Sequence, residues 1–495
     1  MRARPRILLA IGAATIATAV TTALRNRRAA RDTSATALTN TSRTARTAQL
    51  AKVGTTAGAS YVTHQMRRAV TSDHAKKAEL DAAFELKTAV QVADALGNMK
   101  GVLMKLGQMA SFINEGFPEA MRDQLAALQA DAPPMSADLA AGVIERELGA
   151  APDRVFAEWD PRPIAAASIG QVHRARLHDG TEVAVKVQYP GVEAAIAADL
   201  DNTAMLTQML GVIFKGLDTA PFVAELRSRI GEELDYRLEA ERQISFGARF
   251  AGHPAIRIPA VAGQFSTGKV LTTALSCGER FGATSDWTQD ERNLVGEIIY
   301  RFVFRSLNRF HVFNGDPHPG NYLVERSGPF GVQVTFLDYG LVKEFVPDEV
   351  DLFQQMIRLQ VTHPDRVVYR RVIEDAGVLR PGAPYGDEEL MDYFGYFYHP
   401  VLHDERFTYT RAYAREALKR TFDPAGEHTE MMKWFNLPPA FVVLNRIQWG
   451  LNAVLASLDA TANWRRISEE LWPWIDGPPS TPLGVAEHAW LATRR

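Results

Sequence analysis

The run Gly315-Asp316-Pro317-His318-Pro319-Gly320-Asn321, followed by Leu337-Asp338-Tyr339-Gly340, constrains the fold of this chain more than any other stretch. Tyr322-Leu323-Val324-Glu325, a Ser-Gly-Pro turn and Val332 to Leu337 read as two short strands around a tight loop. Asn321 and Asp338 are then predicted to flank one hairpin, with Asp316 just ahead of it. These are residue types that handle magnesium and phosphate, at the spacing such chemistry uses. An isolated Asp-x-x-x-x-Asn is ordinarily a turn with a helix cap. The Asp-Tyr-Gly downstream makes that ordinary reading a poor one.

In kinase-fold phosphotransferases an Asp sits where the acceptor proton leaves, an Asn five residues on binds metal, and an Asp after a short hairpin holds magnesium. Asp316, Asn321 and Asp338 fit those places. Such a site also demands a phosphate-covering hairpin and a lysine upstream, and the segment from Pro163 to Pro190 supplies both in that order. Against the pattern G-x-G-x-x-G-x-V the chain sets Ala165, Ala167, Gly170 and Val172, with Ala166 and Ser168 beside them. Two glycines have become alanines, which stiffens the loop and alters its approach to phosphate oxygens. Ordinary protein phosphorylation is therefore not expected. After the turn at Asp179-Gly180, the alternation Val183-Ala184-Val185-Lys186-Val187 predicts a central strand with one lysine. The bland alternative is a solvated strand lysine.

A phosphate-binding lysine is usually fixed by a carboxylate from a packed helix. Phe222 to Phe246 is apolar at helical spacing and contains Glu233, Asp235 and Glu239, the last two sharing a face. Without context these acids would be an unremarkable solvated helix surface.

Four motifs in order give the chain its resemblance to the UbiB/AarF family of atypical kinases: Lys105-Leu106-Gly107-Gln108, the alanine loop Ala165-Ala166-Ala167-Ser168, Glu233-Leu234-Asp235 with Glu239, and Asp316 to Asn321 with Asp338. The resemblance runs from about residue 73 to about residue 460. It implies an α+β, protein-kinase-like fold with a small β-rich N-lobe, a helical C-lobe and an N-terminal helical extension. It implies binding of ATP and Mg2+, with Glu239 as partner of Lys186, Glu233 as partner of Lys105 across the site, and Asn321 and Asp338 as metal ligands. The alanine loop, Lys105 and Gln108 would line the nucleotide, and the activity would be that of a phosphotransferase or ATPase acting around isoprenoid quinones or membrane lipids. Asn314 stands where a histidine is common, and Tyr339 replaces the usual phenylalanine; neither removes a ligand. No Arg precedes Asp316 and no Ala-Pro-Glu follows Asp338, so control by activation-loop phosphorylation is not supported.

Leu96, Met99, Leu103, Leu106 and Ala110 form a helical stripe that leaves Lys105 and Gln108 on the opposite side with Gly97 and Gly101. Glycines cost roughly 1 kcal/mol each inside a helix, so their placement beside Lys105 suggests close approach by another element. A flexible surface helix is the plainer alternative.

Residues 1–72 are rich in Arg, Ala and Thr and poor in acid. Ile7 to Leu24 carries no charge and is flanked by arginines; at roughly 18 residues it is borderline for spanning a bilayer. A membrane anchor, a targeting segment and a disordered basic arm all fit it. The organisation expected is thus a basic arm over 1–72, a helical extension over 73–150, an N-lobe over 151–277 and a C-lobe over 278–495. After Leu341, helices are expected near Asp348 to Val361, Glu388 to Tyr398, Thr410 to Arg420 and Ala440 to Leu458. Asn445, Arg446 and Gln448 interrupt what would otherwise be a C-terminal membrane pair.

With 495 residues and 46% hydrophobic content the chain holds a large core, and its one cysteine, Cys277, excludes an internal disulfide and fits an intracellular, reducing location. Nothing in it indicates nucleic acid. Two readings from other classes compete. A small-molecule phosphotransferase of aminoglycoside or choline type would lack the Lys105–Gln108 extension and would phosphorylate a soluble hydroxyl compound. A nonenzymatic lipid-binding scaffold with a degenerate kinase fold would not respond to nucleotide.

Overall fold

The computed structural model describes residues 135–167, 169–193, 231–232, 234–314, 317–422, 428–436 and 438–494. The helical extension with Lys105 and Gln108, the stretch 7–24, and Ser168, Glu233 and Asp316 lie outside them. Among the described residues no helix is long and apolar enough to cross a membrane.

Helix α1 (Ala137–Leu148) opens the described chain, with Ser136 as N-cap and Gly149 ending it in the left-handed region. It packs on a four-stranded antiparallel sheet of β1 (Glu158–Ala166), β2 (Gly170–Arg176), β3 (Glu182–Gln188) and, after the intervening helix and strand, β5 (Val270–Ala274), in the order β1-β2-β3-β5. The alternation in β3 works as its sequence requires. Val183, Val185 and Val187 are buried in one cluster with Val143 and Ile144 of α1, while Lys186 projects from the other face. Each buried valine contributes on the order of 1.5–3 kcal/mol.

The second face is covered by α2 (Tyr236–Arg249), where Tyr236 and Ala240 pack with Ile169 and Leu271. The continuous helix expected from Phe222 to Phe246 is broken here. Asp235 is extended and its carboxylate accepts a hydrogen bond from Arg237 N, so it caps α2 from outside and shares no helical face with Glu239. A short polar side chain that captures a nearby amide favours such a start over helix interior. The far end of α2 belongs to another core: Phe246 and Phe250 are buried with Phe302, Phe336 and Tyr339 of the lower lobe.

The strands β4 (Ile256–Arg257), β5 (Val270–Ala274) and β6 (Glu279–Arg280) lead into α3 (Gln289–Phe310), which starts with a capping box at Thr288 and Glu291. Strand β7 (Val312–Asn314) follows, then the hairpin β8 (Tyr322–Glu325) and β9 (Gln333–Phe336), and β10 (Val342–Glu344), which pairs with β7. β8 and β9 form a second sheet in the order β4-β9-β8-β6. The helical lobe continues with α4 (Pro347–Ile357), α5 (Arg366–Asp375), α6 (Asp387–Leu402), α7 (Arg411–Phe422), α8 (Pro439–Ser457), α9 (Trp464–Glu469) and α10 (Pro482–Ala492). The four helices expected after Leu341 are α4, α6, α7 and α8, the first of them passing into a π-helical turn at Arg358–Thr362.

A closed ionic cluster fastens α10 to α3. Arg301, fully buried, donates from Nε to Glu297 at 2.7 Å and from Nη1 to Glu470 and Glu487, both at 2.9 Å. Arg305 donates to both oxygens of Glu487, at 3.1 and 3.0 Å. His253 accepts from Ala255 N and Ile256 N at Nδ1, and its Nε2 lies 3.6 Å from Glu487, beyond hydrogen-bond length. A Cβ at Gly484 would fall 2.3 Å from Glu470 Oε2 and 2.7 Å from Arg301 Nη2, so a side chain there would have to push the Glu470–Arg301 pair aside.

Candidate functional site

Lys186 is the centre of the site. Its position on β3 sets it opposite the valine face, and its Nζ lies 2.8 Å from both oxygens of Glu239 in the first turn of α2. Nζ also sits 4.9 Å from the ring centroid of Tyr236, a cation–π contact. Glu239 is buried and the lysine side chain is 16% exposed, so the lysine is less completely enclosed than its partner. Burial alone would lower the lysine's pKa; the carboxylates of Glu239 and then Asp338, with Tyr236, outweigh it and hold the group above its ordinary 10.5. Lys186 is thus a permanent cation within electrostatic reach of Asp338.

Asp338 follows β9, and its Oδ1 accepts from Gly340 N at 2.8 Å. Its carbonyl accepts from Asn314 Nδ2 at 2.5 Å. Tyr339 beside it is fully buried with its ring 5.1 Å from Phe246 on α2, which anchors the Asp-Tyr-Gly turn to the helix that carries Glu239. The phenol donates to Phe336 O at 3.3 Å, so the exchange of phenylalanine for tyrosine is accommodated by a hydrogen bond. Asn321 closes a single 3-10 turn, Pro319–Asn321, and its carbonyl accepts from Leu337 N at 3.0 Å, one step beyond the Tyr322 and Phe336 pair. The two ends of the hairpin therefore meet, with Asn321 across from the residue next to Asp338.

The alanine loop turns between β1 and β2, with Ala165 paired to Val172 and Ala166 to Gln171. Ala167 N donates to Gly170 O at 2.9 Å, so that amide serves the hairpin. Gly170 is needed for space: a Cβ there would lie 2.3 Å from Val187 O and 2.9 Å from Tyr236 Oη.

Of the expected site residues, Lys186, Glu239 and Asp338 are brought together, Asn321 joins Asp338 at the hairpin, and Ala165 and Ala166 end strand β1 with Ala167 opening the turn to β2 in the same sheet as Lys186. Three contributors went unforeseen. Tyr236 packs under the lysine, Asn314 holds the Asp338 backbone, and Arg242 ties Gly340 O at 2.8 Å to Glu232 at 2.5 Å. Arg242 stands three residues after Glu239, on the same helical side, and that spacing was its available signal.

A sheet-borne lysine held by a helix glutamate, above a hairpin that ends in an aspartate, defines a protein-kinase-like fold. Residues 127–371 match the ABC1 atypical kinase-like domain. Rv3197 of Mycobacterium tuberculosis, solved with erythromycin, is 31% identical, with a TM-score of 0.59 over 81% of this chain and 100% of that one. The atypical kinase COQ8 of Saccharomyces cerevisiae is 29% identical over 57% of this chain and 56% of its own length. A probable protein kinase UbiB of Marinobacter nauticus is 32% identical over 52% and 48%. The chain belongs to the UbiB/AarF family of ABC1 atypical kinase-like proteins, and it spans about half the length of these curated relatives.

Proposed function

We propose that this chain binds Mg-ATP between its two lobes and acts as an ATP-dependent phosphotransferase or ATPase in isoprenoid quinone or membrane-lipid metabolism. The observation that carries the reading is the ammonium of Lys186, clamped by Glu239 and facing Asp338. Two of its three N–H bonds are spent on Glu239, and the third is left for a phosphate oxygen. Because its pKa is raised, Lys186 serves as a fixed positive charge and takes no part in proton transfer.

Asn321 and Asp338 offer an amide oxygen and a carboxylate, hard oxygen donors of the kind that suit magnesium with several of its waters retained. The ion would neutralise phosphate charge. Asp316 would orient the attacking hydroxyl or water, and Lys105, Gln108 and Glu233 would complete the nucleotide side. The alanine loop, with Ser168, would cover the phosphates less intimately than glycines do, since one of its amides already serves the turn. The kinase and UbiB relatives support this class of substrate.

Thermal unfolding with and without Mg-ATP tests the reading. The wild type is expected to gain several degrees, Asp338→Asn to lose the gain, and Lys186→Met to lose most of it. An unchanged gain in both variants would sink the proposal. ATP turnover with added phospholipid or a quinone-like phenol then separates phosphate release from transfer, and phosphorylation of a soluble amino sugar or choline would redirect the substrate class.

A further inference from the structure

A second cavity, of about 290 Å3, opens at the end of α2 away from Glu239. Arg249, Arg309 and Arg494 line it, together with Phe310, Trp490 and Leu491. The three arginines come from the last turns of α2 and α3 and from the residues just past α10. Basic residues at helix ends commonly answer the dipole of their own helix, but Arg494 reaches across to the end of α2 and donates to the carbonyls of Ala248 and Ala251. Dipole compensation does not explain why three such groups from separate helices meet around one hollow.

Among the described residues none of the three pairs with a carboxylate, whereas Arg301 and Arg305, on the same helix as Arg309, are fully engaged by glutamates. Arg249 turns back on Ser245 Oγ and lies 5.9 Å from the ring centres of Phe246 and Phe310. Arg494 lies 5.1 Å over Trp490, whose Nε1 donates to Ala251 O at 2.9 Å. Arg309 is exposed, and no hydrogen bond or ion pair holds it among the described residues. Three guanidiniums without a carboxylate partner around one hollow repel one another, and a multivalent oxyanion removes that penalty while the aromatic walls accept an apolar body. We propose that this cavity is a binding site for a phosphate group, carried by a soluble phosphate ester or by a phospholipid headgroup, separate from the nucleotide cleft.

The test uses the full chain without nucleotide. Calorimetric titration with glycerol 3-phosphate reads the soluble form, and co-sedimentation with phosphatidylglycerol against phosphatidylcholine vesicles reads the lipid form. Arg309→Gln, which disturbs no contact, is expected to weaken whichever probe binds by roughly tenfold or more, as for the loss of a charge-assisted hydrogen bond. Arg411→Gln, an exposed arginine on α7, should leave it unchanged and so accounts for nonspecific charge, including that of the basic N-terminal arm. Binding of glycerol 3-phosphate assigns the soluble class, and an Arg309-dependent response to vesicles alone assigns the lipid class. The inference is overturned if neither probe binds, or if Arg309→Gln and Arg411→Gln behave alike.

Discussion

The Lys186–Glu239 pair and the Arg301 cluster both bury cations against carboxylates, yet their surroundings differ in kind. Around Arg301 two guanidiniums meet Glu297, Glu470 and Glu487 with Arg301 fully enclosed and Glu487 1% exposed. Around Lys186 there is a single pair, with the lysine side chain 16% exposed, two of its three N–H bonds engaged by Glu239 and Asp338 within electrostatic reach. The closed cluster has no capacity left for a ligand and holds α10 in place. The open pair keeps a donor in reserve, which is what a binding group requires. Burial of charge therefore does not by itself mark a functional site; a buried cation that keeps a donor to spare is the better sign.

The sharpest way to break this contrast is Glu487→Ala, which leaves two guanidiniums with a shared partner removed. It is expected to cost about 3–5 kcal/mol in denaturant unfolding while the folded fraction still responds to Mg-ATP. A loss below about 1 kcal/mol would show that the cluster contributes little and that the two regions are not different in kind. Gly170→Ala acts on the other region, forcing a methyl against Val187 O and Tyr236 Oη, and should cost about 3 kcal/mol. Lys186→Met should cost less, about 1–2 kcal/mol, because it removes one partner of a single, less enclosed pair. Adding Glu239→Gln to Lys186→Met is expected to recover part of that loss, and a further loss instead would contradict the pair's openness.

The smallest effect concerns acid. Burial depresses the pKa of His253 below its ordinary 6.5, against the pull of Glu487. Burial would raise Glu487, but His253, Arg305 and Arg301 hold it below its ordinary 4.5. Both depressed groups contribute stability that is complete above their unfolded values and lost as pH falls: His253 from 6.5 downward, Glu487 from 4.5 downward. His253→Asn keeps an acceptor for the two backbone amides and removes the titration. Its unfolding free energy should therefore vary less than that of the wild type between pH 6.5 and 4.5, and parallel curves would exclude His253 as a contributor.

Much of the open region was legible in the sequence because local rules act there in isolation. Strict alternation around Lys186 gave both the strand and the side facing α2, and the β8 and β9 segments carried their own turn residues. The start of α2 was not legible. Asp235 reads equally well as a helix residue or as a cap, and the extended backbone that decides between them follows from packing against Gly268, whose carbonyl accepts from Tyr236 N. The two-residue strands β4 and β6 carry too little pattern to register. The closed cluster was invisible for a different reason: Glu487 stands 186 positions from Arg301 and 182 from Arg305, and only the folded chain brings them together. No local periodicity reports a meeting of that range.

Among the described residues α2 is the one rod whose ends are embedded in different hydrophobic cores, Tyr236 and Ala240 above and Phe246 and Phe250 below. Its first turn grips the lysine, its midsection carries the arginine tied to Gly340, and its last turn reaches the three-arginine hollow, about 15 Å from Glu239 at 1.5 Å per residue. A movement of one core relative to the other must therefore tilt this helix or shift one of its ends within its packing, because no loop interrupts it between them.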